Sequence, residues 1–422
     1  MKPSRIRYAL LAVATANAFL LYLDRVCMGA VVQSQSFQSE LGLDKQATGD
    51  ILASFFFAYA LGQLPAGYLA DRFGPRRMIT IYIVLWSLAT ALTAFTSTLV
   101  ALIAVRALCG LAEAGAYPAS GLLISRWFPF SQRARASSVV ALGGRIGNAI
   151  ALWLTALAIS AFASWRPALW SYGAIGVLLA SLTWILFRNS PAEHPAVNEA
   201  ERELIGTATN VTARSPLPWR RLVLHPGLWL LNVASISMNI GWAFLITWLP
   251  TYLTEVRGLD AVAASRYVSL ALVTALAGML FGGWWCDFLT RRYGQRSGRR
   301  LPFVIGGVAA AGAYLLCPLL PSALAVAVAC GFVAFATDSF LPAVWTIAQD
   351  IGGEHVASTM AWSNMWGNFG ASAVAKLIPF VLSTSLHQAD WREIFYLCAG
   401  SFLLVSLAAA GIDSTKTLTG KR

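Results

Sequence analysis

Twelve stretches of predominantly apolar residues, each roughly the 20 residues a helix needs to cross a hydrocarbon core, leave this chain few ways to fold. They run at about 8–31, 47–70, 78–97, 99–125, 136–160 and 168–187, then at about 228–254, 264–288, 302–320, 323–348, 357–384 and 392–412. Inside lipid every backbone N–H and C=O must be satisfied within the spanning structure, so such windows read as helices. The grouping of six and six predicts an all-α membrane protein with a six-helix half over 1–187, a polar linker over 188–226 and a second six-helix half over 227–422. One short amphipathic piece, Asn198 to Ile205, predicts a helix within the linker. Only 12% of the 422 residues are charged, against about 25% in soluble domains, which excludes a soluble globule.

The net charge of +12 would suit a nucleic-acid binder if the basic residues formed a patch. Instead they fall in alternate loops: 22 of the 31 Lys and Arg residues lie in the termini, the linker and every second connection. By the positive-inside rule both termini are therefore expected in the cytoplasm, with the chain in a plasma membrane of the bacterial inner-membrane kind. Cys27, Cys109, Cys286, Cys317, Cys330 and Cys398 all lie in apolar windows without metal-type spacing, and read as packing residues. The basic N-terminus followed by an apolar run imitates a signal peptide, but the run continues past Cys27 and reads as the first spanning helix. Asn210-Val-Thr matches a glycosylation sequon by chance, given its cytoplasmic placement.

The fourth window carries opposite charges where a membrane helix ordinarily carries none: Arg106, then Gly110, then Glu113, in a segment that ends Gly115-Ala-Tyr-Pro118. A charge at the bilayer centre costs about 2.5–3.5 kcal/mol on insertion scales, so such residues face a bundle interior or a cavity and are functional by default. Seven positions put Arg106 and Glu113 on one stripe about 10 Å apart along the axis. That is too far for an obligatory ion pair, so Glu113 is expected to be open to protonation, with Arg106 as its switchable partner. A structural ion pair that only fixes helix packing is the competing reading.

A short motif occurs twice. Gly67-Tyr-Leu-Ala-Asp71-Arg72-Phe-Gly74-Pro-Arg76-Arg77 ends the second window, and Gly283-Trp-Trp-Cys-Asp287 followed by Arg291 and Arg292 ends the eighth. The glycine permits close helix approach and the aspartate can cap a neighbouring helix, so Gly67, Asp71, Arg72 and Asp287 read as a conformational latch. This repeat and the six-plus-six layout resemble the major facilitator superfamily. Tyr22-Leu-Asp24-Arg25, Arg106-x-x-x-Gly110-x-x-Glu113, Trp127-Phe-Pro129 with Arg133, and Asn364-x-x-x-Asn368 resemble its anion:cation symporter branch. The resemblance implies that Arg25 anchors an anionic group and that Asp24 and Glu113 are proton-linked carboxylates. It further implies a sugar acid of the hexuronate or aldonate type as substrate, imported by proton symport while the two halves alternate access to a central site.

The residue types agree with that implication. A guanidinium offers a planar fork suited to a carboxylate, and Tyr22, three residues before Arg25, shares its face. Asp24 points about 100° away from Arg25 and serves a different spot. No histidine falls within a window, since His194, His225, His355 and His387 lie in the linker or at helix ends, so carboxylates must carry any proton. Tyr59 reads either as cavity lining or as packing, Trp345 as a stacking surface on the face of Asp338, and Asp338 itself either as a third proton carrier or as a structural hydrogen-bond partner. Asn364 and Asn368 suit either substrate hydroxyls or interhelical hydrogen bonds. Arg145, with Asn148 on its face, departs from the branch and reads either as a reader of a second acidic group or as a partner of a carboxylate. Lys376 departs likewise, and either reaches the site or snorkels outward.

Together Arg25, Arg106, Arg145 and Lys376 outnumber Asp24, Glu113 and Asp338 by one, which favours an acidic substrate over a neutral sugar or a cationic drug. The glycines at 143, 144 and 147 lie inside an apolar window with no strand before them, so they are not a phosphate loop. No catalytic triad or metal constellation occurs, and neither an enzyme nor a cofactor is expected. The partners expected are a small organic anion, protons and the lipid bilayer, with no nucleic acid and with the chain as a monomer. A proton-coupled drug or metabolite exporter, an organic phosphate exchanger and a non-transporting membrane sensor are the alternatives.

Overall fold

Each apolar window lies on a helix, and capping residues mark where many of the helices begin. The computed structural model describes residues 2–206, 216–384 and 391–420, with the side chains of 45, 261, 262, 375, 376, 379 and 384 left aside. His387, the Asn210 sequon and the side chain of Lys376 thus lie outside the described residues. In chain order the helices are α1 (Ile6–Val31), α2 (Gln35–Leu41), α3 (Lys45–Phe73), α4 (Pro75–Thr93), α5 (Leu99–Glu113), α6 (Ala116–Trp127), α7 (Arg133–Phe162), α8 (Trp165–Leu186) and α9 (Glu199–Ile205). They continue with α10 (Trp219–Leu224), α11 (Pro226–Ala243), α12 (Leu249–Glu255), α13 (Ala261–Leu316), α14 (Ala323–Gly352), α15 (Val356–Thr384) and α16 (Trp391–Gly411). Ser34, Asp44, Thr98, Ser164, Asn198 and Ser322 cap α2, α3, α5, α8, α9 and α14 by accepting a backbone N–H, as short polar side chains do at N-caps. Among the described residues, nine helical stretches are long and apolar enough to cross a membrane.

The chain forms two compact units that depart from the two sequence halves by an exchange. The first comprises 1–130, 139–217 and 354–361, and the second 131–138, 218–353 and 362–422. The described linker residues 188–206, 216 and 217 therefore belong to the first unit, and α7 and α15 each begin in one unit and continue in the other.

Within the first unit, glycines set the helix spacing. A Cβ on Gly110 would lie 2.2 Å from the Phe55 carbonyl oxygen, so α3 and α5 touch backbone to backbone there. Gly143 and Gly147 do the same against the carbonyls of Thr15 and Phe19, each 2.4 Å from a would-be Cβ, and so seat α7 on α1. The linker clasps the start of α1: Glu201 accepts from the Ile6 N–H at 3.0 Å, the Arg7 N–H at 3.3 Å and the Ser4 hydroxyl, and pairs with the Arg7 guanidinium at 3.0 Å. Asn198 adds its Oδ1 to the Ser4 N–H.

One window differs from the sequence expectation for identifiable reasons. The fourth is broken into α5 and α6 immediately after Glu113, because Pro118 has no N–H to continue the ladder and Gly115 is pressed on the Tyr82 ring, 2.3 Å from a would-be Cβ. The eighth and ninth windows, as expected, are separate helices: the α13 range holds two that meet at a kink at Gly294, φ 77°, a conformation glycine adopts without strain, and the chain turns there so sharply that a Cβ on Gly298 would lie 2.2 Å from the Thr290 Cα. In the second unit, α11 passes into α12 through a π-helical turn at Phe244–Trp248. Arg299, fully buried, pairs there with Asp287 at 3.4 Å and Asp350 at 3.1 Å. All six cysteines are buried free thiols, as packing residues should be.

Burial pushes the Glu201 carboxyl up, but the hydrogen bonds from Ser4, Arg7 and Ile6 and the Arg7 charge outweigh it and hold the group below the usual glutamate range. A carboxyl depressed in the folded state stabilises fully above its unfolded pKa of about 4.3 and loses that contribution as pH falls through the lower folded value. Replacing it by Glu201→Gln is expected to lower stability by about 1–3 kcal/mol at neutral pH. The variant should also flatten the acid limb of the profile of Tm against pH, measured by thermal unfolding in detergent.

Candidate functional site

The charged residues of α1 and α5 meet in the interior of the first unit. Arg25 lies across from Glu113: its Nε donates to Glu113 Oε2 at 2.9 Å and its terminal nitrogen reaches the same oxygen at 2.9 Å. Glu113 is 1% exposed and Asp24 and Arg106 are equally hidden at 0% and 2%. The partner of Glu113 is therefore Arg25, not the expected Arg106. The reason is geometric, since Arg106 sits two turns away on the same helix while Arg25 approaches side-on from α1. Arg106 instead places its guanidinium 4.8 Å from the Phe55 ring centroid and donates to the backbone carbonyl of Arg25 at 3.4 Å. Cys109 completes the surroundings of Glu113, its thiol 3.8 Å from Oε1.

Aromatic faces enclose the Arg25 guanidinium. The Tyr59 centroid lies at 4.4 Å, Tyr22 at 5.0 Å and Phe55 at 5.4 Å, distances at which a ring quadrupole attracts a cation. Phe55 and Tyr59 are one turn apart on α3 and stack at 14°, and the contact at Gly110 is what brings both against α5. Tyr117, at the start of α6, meets Tyr22 edge-on at 6.2 Å. Gly144 lets both tyrosines close in, since a Cβ there would lie 2.4 Å from the Tyr117 hydroxyl. The next residue, Arg145, is half-buried and, like Arg25, within electrostatic reach of Tyr117. Asn148, one turn on, is exposed.

Asp24 stands apart from this pairing. Neither carboxylate oxygen makes a hydrogen bond of normal geometry within the protein, the Trp86 indole being its polar neighbour and Glu113 and Arg106 its charged ones. One site thus holds a carboxylate paired with Arg25, a second without that pairing, and the Arg25 and Arg106 guanidiniums. Such an arrangement can bind an anion or exchange a proton, and it provides neither a nucleophile nor a metal cage; among the described residues no cluster of His, Cys, Asp and Glu could hold a metal ion.

In the second unit, Trp345 and Asn368 are half-buried and Asn364 is exposed, with the Asn368 amide donating to the Asn364 backbone carbonyl at 2.9 Å. Asp338 is fully buried on α14.

The match to known proteins decides the family: the family model described as Major Facilitator Superfamily matches residues 14–375. The chain belongs to the Major Facilitator Superfamily. It is accordingly of a transporter family and not an enzyme. A relative from Cupriavidus necator, the probable sulfoacetate transporter SauU, is 27% identical over 413 residues, covering 96% of this chain and 93% of its own. The D-galactonate transporter of Escherichia coli is 30% identical over 319 residues, 72% of this chain and 73% of its own. Both agree with the anion:cation symporter branch. Among solved structures, the proton:xylose symporter XylE matches with a TM-score of 0.73 at 16% identity, over 96% of this chain and 95% of its own, and shows the shared fold.

For this superfamily member, the repeated motif does specific work in each unit. Asp71 accepts from the N–H groups of Ala357 at 2.9 Å and Ser358 at 2.8 Å and from the Ser358 hydroxyl at 2.6 Å, and so caps the start of α15 within the first unit. Gly67 permits this approach, a Cβ there lying 2.6 Å from the Ala357 carbonyl. In the second unit Asp287 accepts from Ala134 at 3.2 Å and Arg135 at 3.0 Å and caps the start of α7. Arg72 is exposed and stands over Phe73.

Phe55, Trp86 and Tyr117 line this cluster without being candidates from the sequence, and Cys109, read there as packing, touches Glu113. Tyr117 carried a signal, four residues beyond Glu113 and on its stripe; Phe55 is likewise one turn before Tyr59.

Removing one member of a buried ion pair leaves an uncompensated charge, at a cost of about 3–5 kcal/mol. Arg25→Gln is therefore expected to lower stability by that order. Adding Glu113→Gln should restore most of it, and a double-mutant cycle on thermal unfolding reads the coupling directly.

Proposed function

We propose that the chain is a secondary active transporter that imports an organic anion, of the sugar-acid type, together with protons by alternating access. In this reading it is a twelve-span protein of a bacterial inner membrane with both termini cytoplasmic. The observation that carries the reading is the Arg25–Glu113 ion pair beside the unbonded Asp24. Arg25 directs its Nε and one terminal nitrogen at Glu113, so an incoming carboxylate competes with Glu113 for the same fork. Protonation of Glu113 removes its charge and frees the fork for substrate. Departure of the substrate leaves Arg25 to recapture a deprotonated Glu113. Proton and anion occupancy are coupled because both act on one guanidinium, with Asp24 as a second carboxylate that can be neutralised.

Charge balance supports an anion. Arg25 and Arg106 face Asp24 and Glu113 within the first unit, and Arg145 lies beyond them beside Tyr117, so protonation of both acids leaves the arginines uncompensated. The relatives named for sulfoacetate and D-galactonate carry one a dianion and the other a monoanion. In this chain Tyr22 and Tyr59 supply hydrogen-bonding rings around Arg25, and Arg145 reads a second acidic group, with Asn148 beside it. Trp345, Asn364 and Asn368 are the proposed contacts to substrate hydroxyls from the second unit, and the caps at Asp71 and Asp287, with Gly67 and Arg72, are the proposed latch.

A monoanion entering with two protons carries one net positive charge, which an inside-negative potential assists by about 2.3 kcal/mol per 100 mV; a dianion entering with two protons carries none. Screening organic anions for substrate-induced proton uptake and current in proteoliposomes tests this. The expected result is inward current with D-galactonate-type monoanions, none with dianions, and loss of proton movement with retained counterflow in Glu113→Gln. Proton movement unchanged in Glu113→Gln would overturn the coupling role. Arg145→Gln is expected to weaken dianion uptake about tenfold or more relative to monoanion uptake, the loss of roughly one charge-assisted contact; an unchanged preference would remove Arg145 from the site.

A further inference from the structure

Beside Trp86, toward the N-terminal end of α1, lies a small cavity of about 10 Å³, near the smallest that holds one water molecule. Its wall includes the Asn17 amide, Ala18, Leu21, the Trp86 indole, Tyr117 and Ser120. The polar groups are held in place: Asn17, 4% exposed, exchanges hydrogen bonds with the Thr183 hydroxyl at 3.1 and 3.3 Å, and Ser120 donates to the Ala116 carbonyl at 2.8 Å and keeps its lone pairs. A hydroxyl acceptor and an amide in an otherwise apolar wall give a water the two polar partners it needs.

Trp86 is the partition between this cavity and Asp24. It is 1% exposed, it lines the cavity, and its Nε1 is the polar neighbour of the Asp24 carboxylate. Yet Nε1 and both Asp24 oxygens are buried and lack a hydrogen bond of normal geometry, so no such bond fixes the indole. The other titratable and charged groups facing Asp24 are Glu113 and Arg106 of α5, the thiols of Cys27 and Cys109, and Tyr172 of α8, and none of them lines the cavity.

We propose that this cavity is a hydration site on the route by which Asp24 exchanges its proton with the side of the membrane where α1 begins, and that Trp86 gates it. The inference rests on the proton-coupled reading above. When the indole rotates, the O–H bond of protonated Asp24 breaks as one forms on the cavity water. That water releases a different proton past Asn17 and Ser120, so no net charge is left in the cavity and no co-reactant is needed. Trp86 is a positioning residue, since an indole N–H cannot accept the proton.

The test needs no substrate. Full-length protein in liposomes is placed under a potassium diffusion potential, and proton entry is followed with an internal pH dye. Trp86→Phe, which keeps an aromatic ring but narrows the partition, is expected to raise the leak about tenfold over wild type, one 1.4 kcal/mol step in barrier. Adding Ala18→Val, which fills the cavity, should return the leak to the wild-type level. A leak that persists in the double variant, or no leak in a folded Trp86→Phe protein, overturns the route.

Should Trp86→Phe fail to fold, infrared hydrogen–deuterium exchange of the protonated Asp24 carboxyl, assigned against Asp24→Asn, decides the matter. Ala18→Val slows that exchange if the cavity is the route, and leaves it unchanged if it is not. Wild-type protein that moves no protons with any substrate, while the leak behaves as stated, would refute the transport reading and leave the cavity's role intact.

Discussion

A charged pair buried among aromatic rings, Arg25 with Glu113, is the interaction on which the first unit depends. Desolvating two charges is expensive and their attraction compensates only when the geometry is good and the remaining surroundings are favourable. Here the surroundings are supplied by backbone contacts. Gly110 brings α3 onto α5 and thereby lays Phe55 and Tyr59 on the guanidiniums, while Gly143, Gly144 and Gly147 seat α7 on α1 and leave room for Tyr22 and Tyr117. A methyl group at Gly110 would have to displace a carbonyl rather than a flexible side chain, so the tolerance for change at that position is small.

The division of labour between the two carboxylates follows from what each touches. Glu113 touches the Arg25 guanidinium and the Cys109 thiol. Asp24 is one residue from Arg25 but is not paired with it, makes no hydrogen bond of normal geometry, and shares its neighbourhood with Trp86, Glu113 and Arg106.

Helix positions were legible in the sequence because hydropathy over 20 residues is a strong, local signal, and the linker helix was legible because Asn198 caps it. Partner choice was not. The stripe from Arg106 to Glu113 shows only that both face the same way, whereas the pairing with Arg25 depends on how closely three helices approach, which no single-helix periodicity encodes. The break after Glu113 could have been read from Gly115 and Pro118. Apolar continuity masked it, because a window average does not register one missing N–H. The basic connection at 291–300, with five arginines and two glycines, reads as the link between two spans, and two helices do meet there at Gly294. What the sequence does not show is that Arg299 within it is drawn into the interior by Asp287 and Asp350. The aspartates of the repeated motif are capping groups, each satisfying N–H donors at the start of a helix that begins in one unit and continues in the other.

The first turn of α15 is held by Asp71 within the first unit, and the first turn of α7 by Asp287 within the second. In the first unit the body of α7 also carries Gly143, Gly144 and Gly147, the contacts that seat it on α1 beside Tyr22 and Arg25. Arg25 lies over the Tyr22 ring, and Gly144 leaves no slack between that ring and α7. The physical chain from ion pair to ring to helix is therefore short and made of hard contacts, and hard contacts transmit displacement where loose ones absorb it.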